Sequence, residues 1–199
     1  MLLNAILLAA SATFALQVAA RSPQSQFSPF DTSPESCPTG YTRGAVNDIA
    51  KFPVSVKTLS KDVKSYFDAG WEGFTIANHT GKDNEHGALR TFKLGGFLPF
   101  TEELGFFIND PRLVERLWFG VGGAYKGDLP VNAGFFGLSL ANWAEHFTIT
   151  PLCKGKAAQF TWQATYCSTN DAVAKAFYTR AHTGPFQTLH NKHGQFDKC

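Results

Sequence analysis

Apolar and polar residues alternate with period two along two stretches of the chain, the mark of half-buried β-strands. Trp143, Glu145, Phe147 and Ile149 alternate with Ala144, His146 and Thr148. After the turn signal Lys154-Gly155-Lys156, Phe160, Trp162, Ala164 and Tyr166 alternate with Gln159, Thr161, Gln163 and Thr165. The second run has one large apolar face and one Thr/Gln face, as an antiparallel strand does with one side on a core. Earlier runs are weaker. Phe74 and Ile76 share one parity from Glu72 onward, residues 78–87 read as a polar turn region, and Ala88, Arg90, Phe92 and Leu94 share the next strand face. Gly95-Gly96 turns the chain, and Phe100, Glu102, Leu104 and Phe106 share a face of the strand that follows.

Helical spacing occurs near both ends of this region. Ser60 is suited to cap a short helix over residues 60–67, with Val63 and Phe67 on one face and Gly70 ending it. Thr169-Asn170-Asp171 caps a final helix whose inner face carries Val173, Phe177 and Ala181 at i, i+4 and i+8. Gly184-Pro185 predicts a kink there, after which Phe186 and Leu189 continue the apolar side. Asp110-Pro111 suits a helix cap or a turn, residues 112–119 are ambiguous by pattern, and Gly-rich residues 120–132 read as a loop. The element order is a short helix, a run of antiparallel strands and one long helix. That order predicts an α+β fold, a curved antiparallel sheet wrapped around the C-terminal helix. An apolar cavity remains wherever the helix fails to fill the concave side.

The ends divide the chain further. Residues 1–20 carry no charge and end in Val18-Ala19-Ala20, after which Arg21-Ser22-Pro23-Gln24 turns polar at once. This reads as a secretory signal peptide. Residues 21–50 read as a Ser/Pro-rich leader, residues 51–193 as the folded domain and 194–199 as a polar tail. No later segment is long and apolar enough to span a bilayer. Cys37, Cys153, Cys167 and Cys199 all follow the signal, and an even count in an oxidising compartment predicts two disulfides. Of the three connectivities, Cys153–Cys167 is disfavoured, because the tight turn between their strands pairs Cys153 with a nearer residue. Asn78-His79-Thr80 is a glycosylation sequon.

Composition narrows the function classes. Net charge is +2 and no Lys/Arg block stands out, which argues against nucleic acid as a partner. The 19 Phe and 4 Trp exceed what a core of this size requires, and favour an aromatic-lined cavity or a dense core. No nucleotide-loop, Rossmann or nucleophile-elbow motif is present, so no cofactor is expected. The cysteine spacing does not suit zinc. His190 and His193 lie in a polar tail, and His79 and His86 in a turn, so no metal site is expected either. The oligomeric state is open.

Several segments together resemble the START-like helix-grip superfamily, in particular its Bet v 1-like and polyketide cyclase-like (SRPBCC) members. Gly87-Ala88-Leu89-Arg90-Thr91-Phe92 is similar to the family's strand after a polar turn, and Thr101-Glu102-Glu103-Leu104 to the strand that follows. Leu129-Pro130-Val131, and the pair Phe147-Thr148-Ile149-Thr150-Pro151 with Thr161-Trp162-Gln163-Ala164, resemble its last strands. Residues 177–189 resemble the helix that lids the cavity. The resemblance spans residues 54–190 and implies that residues 112–119 form a strand. The signal peptide, the cysteines, the Gly-rich insertion over residues 120–128 and Pro185 depart from the family pattern.

Candidate chemistry sits on the inward parities. Arg90 and Glu102 belong to consecutive strands and can meet. They either orient a polar group of a ligand or form a structural buried ion pair. Glu145 is a third candidate, as a cavity carboxylate and general base, unless it lies at the strand end in water. Phe74, Phe92, Leu104, Phe106, Phe147, Phe160, Trp162, Tyr166 and Phe177 are the expected pocket lining, and Tyr125 is a candidate lid. The leading reading is a secreted binding protein for a lipid, sterol, or aromatic or polyketide metabolite. A cyclase or aromatase using Glu102 or Glu145 as base with Arg90 stabilising an enolate is the second. An extracellular protein-interaction factor without a ligand is the third.

Overall fold

The two runs with the clearest alternation pair with each other in one antiparallel sheet. The structure, a computed structural model, describes residues 36–94, 96–133 and 137–199. The signal peptide and residues 21–35 of the leader lie outside the described residues. β7 (Leu138–Leu152) and β8 (Ala157–Ser168) pair from Leu140↔Ser168 to Leu152↔Ala157. Their inner faces meet as Phe147 opposite Trp162 and Ile149 opposite Phe160.

Around them stand β1 (Thr42–Phe52), β2 (Ile76–Thr80), β3 (Leu89–Leu94), β4 (Leu98–Asp110), β5 (Leu113–Gly122) and the short β6 (Val131–Ala133). The strand order is β1-β8-β7-β5-β4-β3-β2, with β6 also paired to β7. Register shifts within β2–β3, β4–β5 and β7–β8 are β-bulges, which sharpen twist and bend a sheet. The concave side holds a short helix α1 (Val56–Leu59) and the long helix α2 (Asp171–His193). Asn170 caps α2 by accepting the Val173 N–H at 3.2 Å. Lys192 and His193, in its last turn, bond Asp62. The buried apolar side chains form two clusters. One is built around Phe52, Leu59, Trp71, Phe147 and Phe160, the other around Phe92, Phe100, Trp143, Tyr166 and Tyr178.

The structure corrects several expectations. Residues 42–50 are not leader but most of β1, which pairs with β8 from Thr42↔Ser168 to Phe52↔Ala158. Its inner residues Val46, Ala50 and Phe52 are buried, but Asn47, Asp48 and Lys51 break up the apolar pattern. Residues 60–67 do not form a helix, because side chains capture the backbone groups a helix would use. Arg116 donates to the Val63 carbonyl at 2.8 Å, Asn84 donates to the Lys64 carbonyl at 2.8 Å, and Asp83 accepts the Tyr66 N–H at 2.8 Å. Asn78, His79 and Thr80 belong to the edge strand β2 rather than to a turn. Residues 113–122 are strand, as the family resemblance implied, and β5 runs into the stretch expected to be loop.

Two side-chain placements also change. A bulge between Leu104 and Phe106 reverses the parity of β4, so Phe106 pairs with Leu117 and meets His146 on the outer face. Phe107 takes the inner side, 4.4 Å from Arg116. In α2 the deepest stripe is Ala174, Tyr178, His182, Pro185, Phe186 and Leu189, one residue on from Val173, Phe177 and Ala181, and the helix continues through Pro185.

Both disulfides join distant parts of the chain. Cys37 bonds Cys167, tying residues ahead of β1 to the end of β8, and Cys153 bonds Cys199, tying the C-terminal tail to the β7–β8 turn. No helix among the described residues is long and apolar enough to cross a membrane.

Candidate functional site

Ionisable groups from several elements are buried together on the concave face. β3 and β4 place Arg90 directly opposite Glu102, and the Arg90 Nε donates to Glu102 Oε2 at 2.9 Å. The second partner comes from the 3₁₀ turn Gly70–Glu72, held by Trp71 against Phe147, Phe160 and Trp162 and closed by Gly73 in the left-handed conformation. Glu72 accepts from both Arg90 terminal nitrogens, at 2.8 and 2.9 Å, the bidentate geometry of a strong pair. Arg90 also lies 4.4 Å over the Tyr66 ring. Burial works against the Arg90 charge, but Glu72 and Glu102 hold its pKa well above the ordinary value.

One guanidinium for two carboxylates leaves the cluster short of positive charge. Burial pushes the Glu102 carboxyl up to about 7; Arg90 opposes this, while Glu145 and Glu72 add to it. Arg116 is buried nearby on β5 with carbonyl partners, Asn84 and the rings of Phe107 and Tyr66. Burial and the Arg90 charge bring it down to about 10.

Glu145 on β7 is buried too. Its Oε2 accepts from Trp162 Nε1 at 2.9 Å and faces His182 Nε2 at 3.4 Å. The His182 ring stacks on Trp162 with centroids 4.4 Å apart and an interplanar angle of 17°. Its Nδ1 meets Asp48 Oδ2 of β1 at 2.8 Å.

A cleft opens over these groups, between the sheet and α2. Counted with the open space at its mouth it holds about 380 Å³ of empty space, and its interior is narrow. Its walls are Phe74, Phe92, Phe100, Trp143, Trp162 and Phe177, with Ala181. Its polar groups are Glu72, Glu102, Glu145 and Tyr178. The Tyr178 side chain is buried, and its hydroxyl has no hydrogen-bond partner among the described residues. Burial, with Glu145 and Glu102 near, holds that phenol well above its ordinary pKa. The site therefore sets aromatic walls around three carboxylates and the Tyr178 hydroxyl.

No family model matches the chain, and no curated protein does. Solved structures do. One, a protein of Nitrosospira multiformis, matches with a TM-score of 0.58 at 14% identity, over 75% of this chain and 96% of that one. A ginseng major latex-like protein from Panax ginseng matches at 0.51 and 14%, over 76% and 97%. Norcoclaurine synthase from Thalictrum flavum, in complex with dopamine and hydroxybenzaldehyde, matches at 0.50 and 11%, over 80% and 91%. This chain has the Bet v 1-like helix-grip fold.

Within this helix-grip fold the residues singled out from the sequence fall into three groups. Phe74, Phe92, Glu102, Glu145, Trp162 and Phe177 line the cleft, with Arg90 bonded behind Glu102 and Glu72. Leu104, Phe147, Phe160 and Tyr166 are fully buried core residues outside its lining. Phe106 lies on the outer face, and Tyr125 is 78% exposed and does not line the cleft. Asn78 is exposed on β2. Among the described residues no His, Cys, Asp and Glu group has an arrangement that could hold a metal ion.

Sequence reasoning missed Glu72, Arg116, Asp48, Tyr178 and His182. Only the last two had a signal. Ala174, Tyr178, His182, Phe186 and Leu189 form a helical stripe as regular as the Val173 stripe, disguised by one polar residue.

Proposed function

We propose that this protein is a secreted binding protein for a small aromatic molecule, held in the helix-grip cleft between the sheet and α2. The observation that carries this reading is the Tyr178 hydroxyl, buried and unpartnered on the wall of an aromatic cleft. A buried polar group without a partner costs roughly 1–3 kcal/mol, and a guest in the cleft would complete the bond. The aromatic walls favour an aromatic metabolite over a lipid or a sterol. The small aromatic compounds bound by the similarly folded norcoclaurine synthase support the same size class. Secretion is supported by the charge-free leader over residues 1–20 and by two disulfides. Asn78 is exposed, as glycosylation of its sequon requires.

The test is to purify the protein from the medium of its native source, denature it and analyse the organic extract by mass spectrometry. A stoichiometric aromatic compound supports the reading. An empty extract, together with no thermal shift from a library of small aromatics, counts against it.

A second reading, an acid–base enzyme of the cyclase type, is favoured by one observation. Glu102 is held at about 7, where a carboxyl can both give and take a proton, and Glu145 lines the same cleft. Its test is turnover of the extracted compound or of its polyketide-like precursors. If Glu102→Gln left that turnover unchanged, the assignment of Glu102 would be wrong.

A further inference from the structure

Three segments far apart in sequence meet at one end of the fold, and each brings lysines. The first is residues 51–62, from the end of β1 through α1. The second is residues 151–156, at the β7–β8 turn, and the third is residues 190–199, the end of α2 and the tail. Contacts across the fold hold them together. Phe52 and Pro151 are both register partners of Ala158. The His190 ring donates from Nε2 to the Lys51 carbonyl at 3.2 Å. Asp62 bonds Lys192 and His193 of α2. The Cys153–Cys199 disulfide joins the tail, with Lys198, to the turn that carries Lys154 and Lys156.

Lys51, Lys57, Lys61, Lys154, Lys156 and Lys198 are exposed at this end, and none of them makes an ion pair among the described residues. Lys192 is the seventh, and Asp62 holds it. The only acids in the three segments are Asp62 and Asp197. This positive excess is larger than the net +2 of the whole chain, so the remainder of the chain is net negative. The β4–β5 hairpin at the same end adds Arg112, paired with Asp110. Each segment holds only two or three lysines, so no block of charge shows in the sequence, and folding gathers them into a basic pole.

A field of this kind attracts a polyanion. The side chains at the pole narrow its chemistry. Among the described residues, the large apolar side chains that are exposed lie elsewhere. Phe97, Tyr125 and Leu129 are at the opposite end, where β4 starts and β5 stops, and Ile49 and Phe119 are on the outer face. Peripheral membrane binding draws on apolar side chains that enter the bilayer, and single-stranded nucleic acid is held by aromatic stacking. The pole supplies neither. Its three segments contain no arginine. Lysines are point charges on long flexible stems, which suit a row of separate carboxylate or sulfate groups better than one planar, bidentate anion.

We propose that this pole binds an acidic polysaccharide outside the cell. None of its lysines lines the cleft, so the site is separate from the one proposed above, and it rests only on the chain being secreted. The contact is non-covalent. It releases the counterions gathered on the polymer, so it weakens steeply as salt rises.

The test uses the full disulfide-bonded protein with dextran sulfate, polygalacturonate and neutral dextran, in calorimetry at rising sodium chloride. Native protein is expected to bind a polyanion and not dextran, with affinity falling at least about tenfold between about 50 and 200 mM salt. The tighter of the two polyanions names the anion as sulfate or carboxylate. Two double variants remove the same charge from different places. Lys154→Gln with Lys156→Gln is expected to weaken binding at least about tenfold, and Lys93→Gln with Lys175→Gln, away from the pole, less than about twofold. No binding to either polyanion, equal binding to dextran, or equal losses from the two double variants overturns the proposal. Tighter binding to phosphatidylserine vesicles or to DNA at the same salt also overturns it, in favour of a membrane or a nucleic acid. The salt series on native protein needs no variant to fold, and an affinity unchanged by salt overturns the proposal by itself. Failure here leaves the reading of the cleft untouched.

Discussion

Glu72 grips Arg90 with both carboxylate oxygens, at 2.8 and 2.9 Å, from a 3₁₀ turn that is not part of the sheet. The pair ties that turn, which carries Trp71 and the cleft residue Glu72, to the start of β3. Both side chains are almost wholly buried. Removing the cation leaves Glu72 and Glu102 buried without their partner, so Arg90→Met should cost about 3–5 kcal/mol in chemical denaturation. Glu72→Gln keeps an acceptor for Arg90 and should cost less. An Arg90→Met protein as stable as the native one would mean that the guanidinium is not needed to hold this face together.

The pH dependence of stability should bear the mark of Glu102. Its unfolded carboxyl titrates near 4.5 and its folded one at about 7, so between these values the folded state holds more protons. Stability from this group is complete below 4.5 and falls as pH rises through 7. Glu102→Gln should flatten that loss in denaturation curves measured from pH 4.5 to 8. Asp62 acts with the opposite sign. Burial alone would raise it, but Lys192 and His193 bring it below its unfolded value of 3.8. Its contribution is present above 3.8 and is lost as pH falls through the folded value, so Asp62→Asn should weaken only the acid dependence.

Trp143 owes its position to a glycine. Gly120 faces Trp143 so closely that a Cβ there would overlap the indole ring, while Trp143 Nε1 reaches toward Glu102 Oε1 at 3.5 Å. Gly120→Ala should therefore cost about 1–3 kcal/mol by overpacking. It should also shift the tryptophan fluorescence. Unchanged fluorescence and stability would show that the ring has room to move.

Tyr178→Phe separates folding from binding. The hydroxyl makes no bond among the described residues, so its loss should leave stability unchanged or raise it by up to about 1 kcal/mol. The same change should weaken binding of the extracted ligand, measured by calorimetry. A clear loss of stability would instead reveal a bond made by the hydroxyl in the folded protein.

The disulfides should differ in their response to reductant. Cys167 is fully buried, whereas Cys199 lies in the exposed tail. Partial reduction followed by alkylation and mass spectrometry should label Cys153 and Cys199 first. By the chain-entropy account, each bond, closing spans of 130 and 46 residues, stabilises by about 4–5 kcal/mol at most.

The sequence by itself determined the elements whose burial is periodic. β7 and β8 bury alternate residues against one face, and α2 opens with a capping Asn170, so local spacing was enough to read them. Arg90 and Glu102 were legible as a pair because consecutive strands joined by a short turn must bring same-face residues together. The tertiary structure decided the rest. The bulge at residues 104–106 moves Phe106 to the outer face, and a one-residue change of parity leaves no local mark. Residues 60–67 keep helical spacing, yet Arg116 and Asn84, distant in sequence, hold their carbonyls. Asp48 and Glu72 come from two separate elements. Each resembles an ordinary surface residue in its own segment, because what makes it a site residue is the partner across the fold that lets a charged or polar group remain buried.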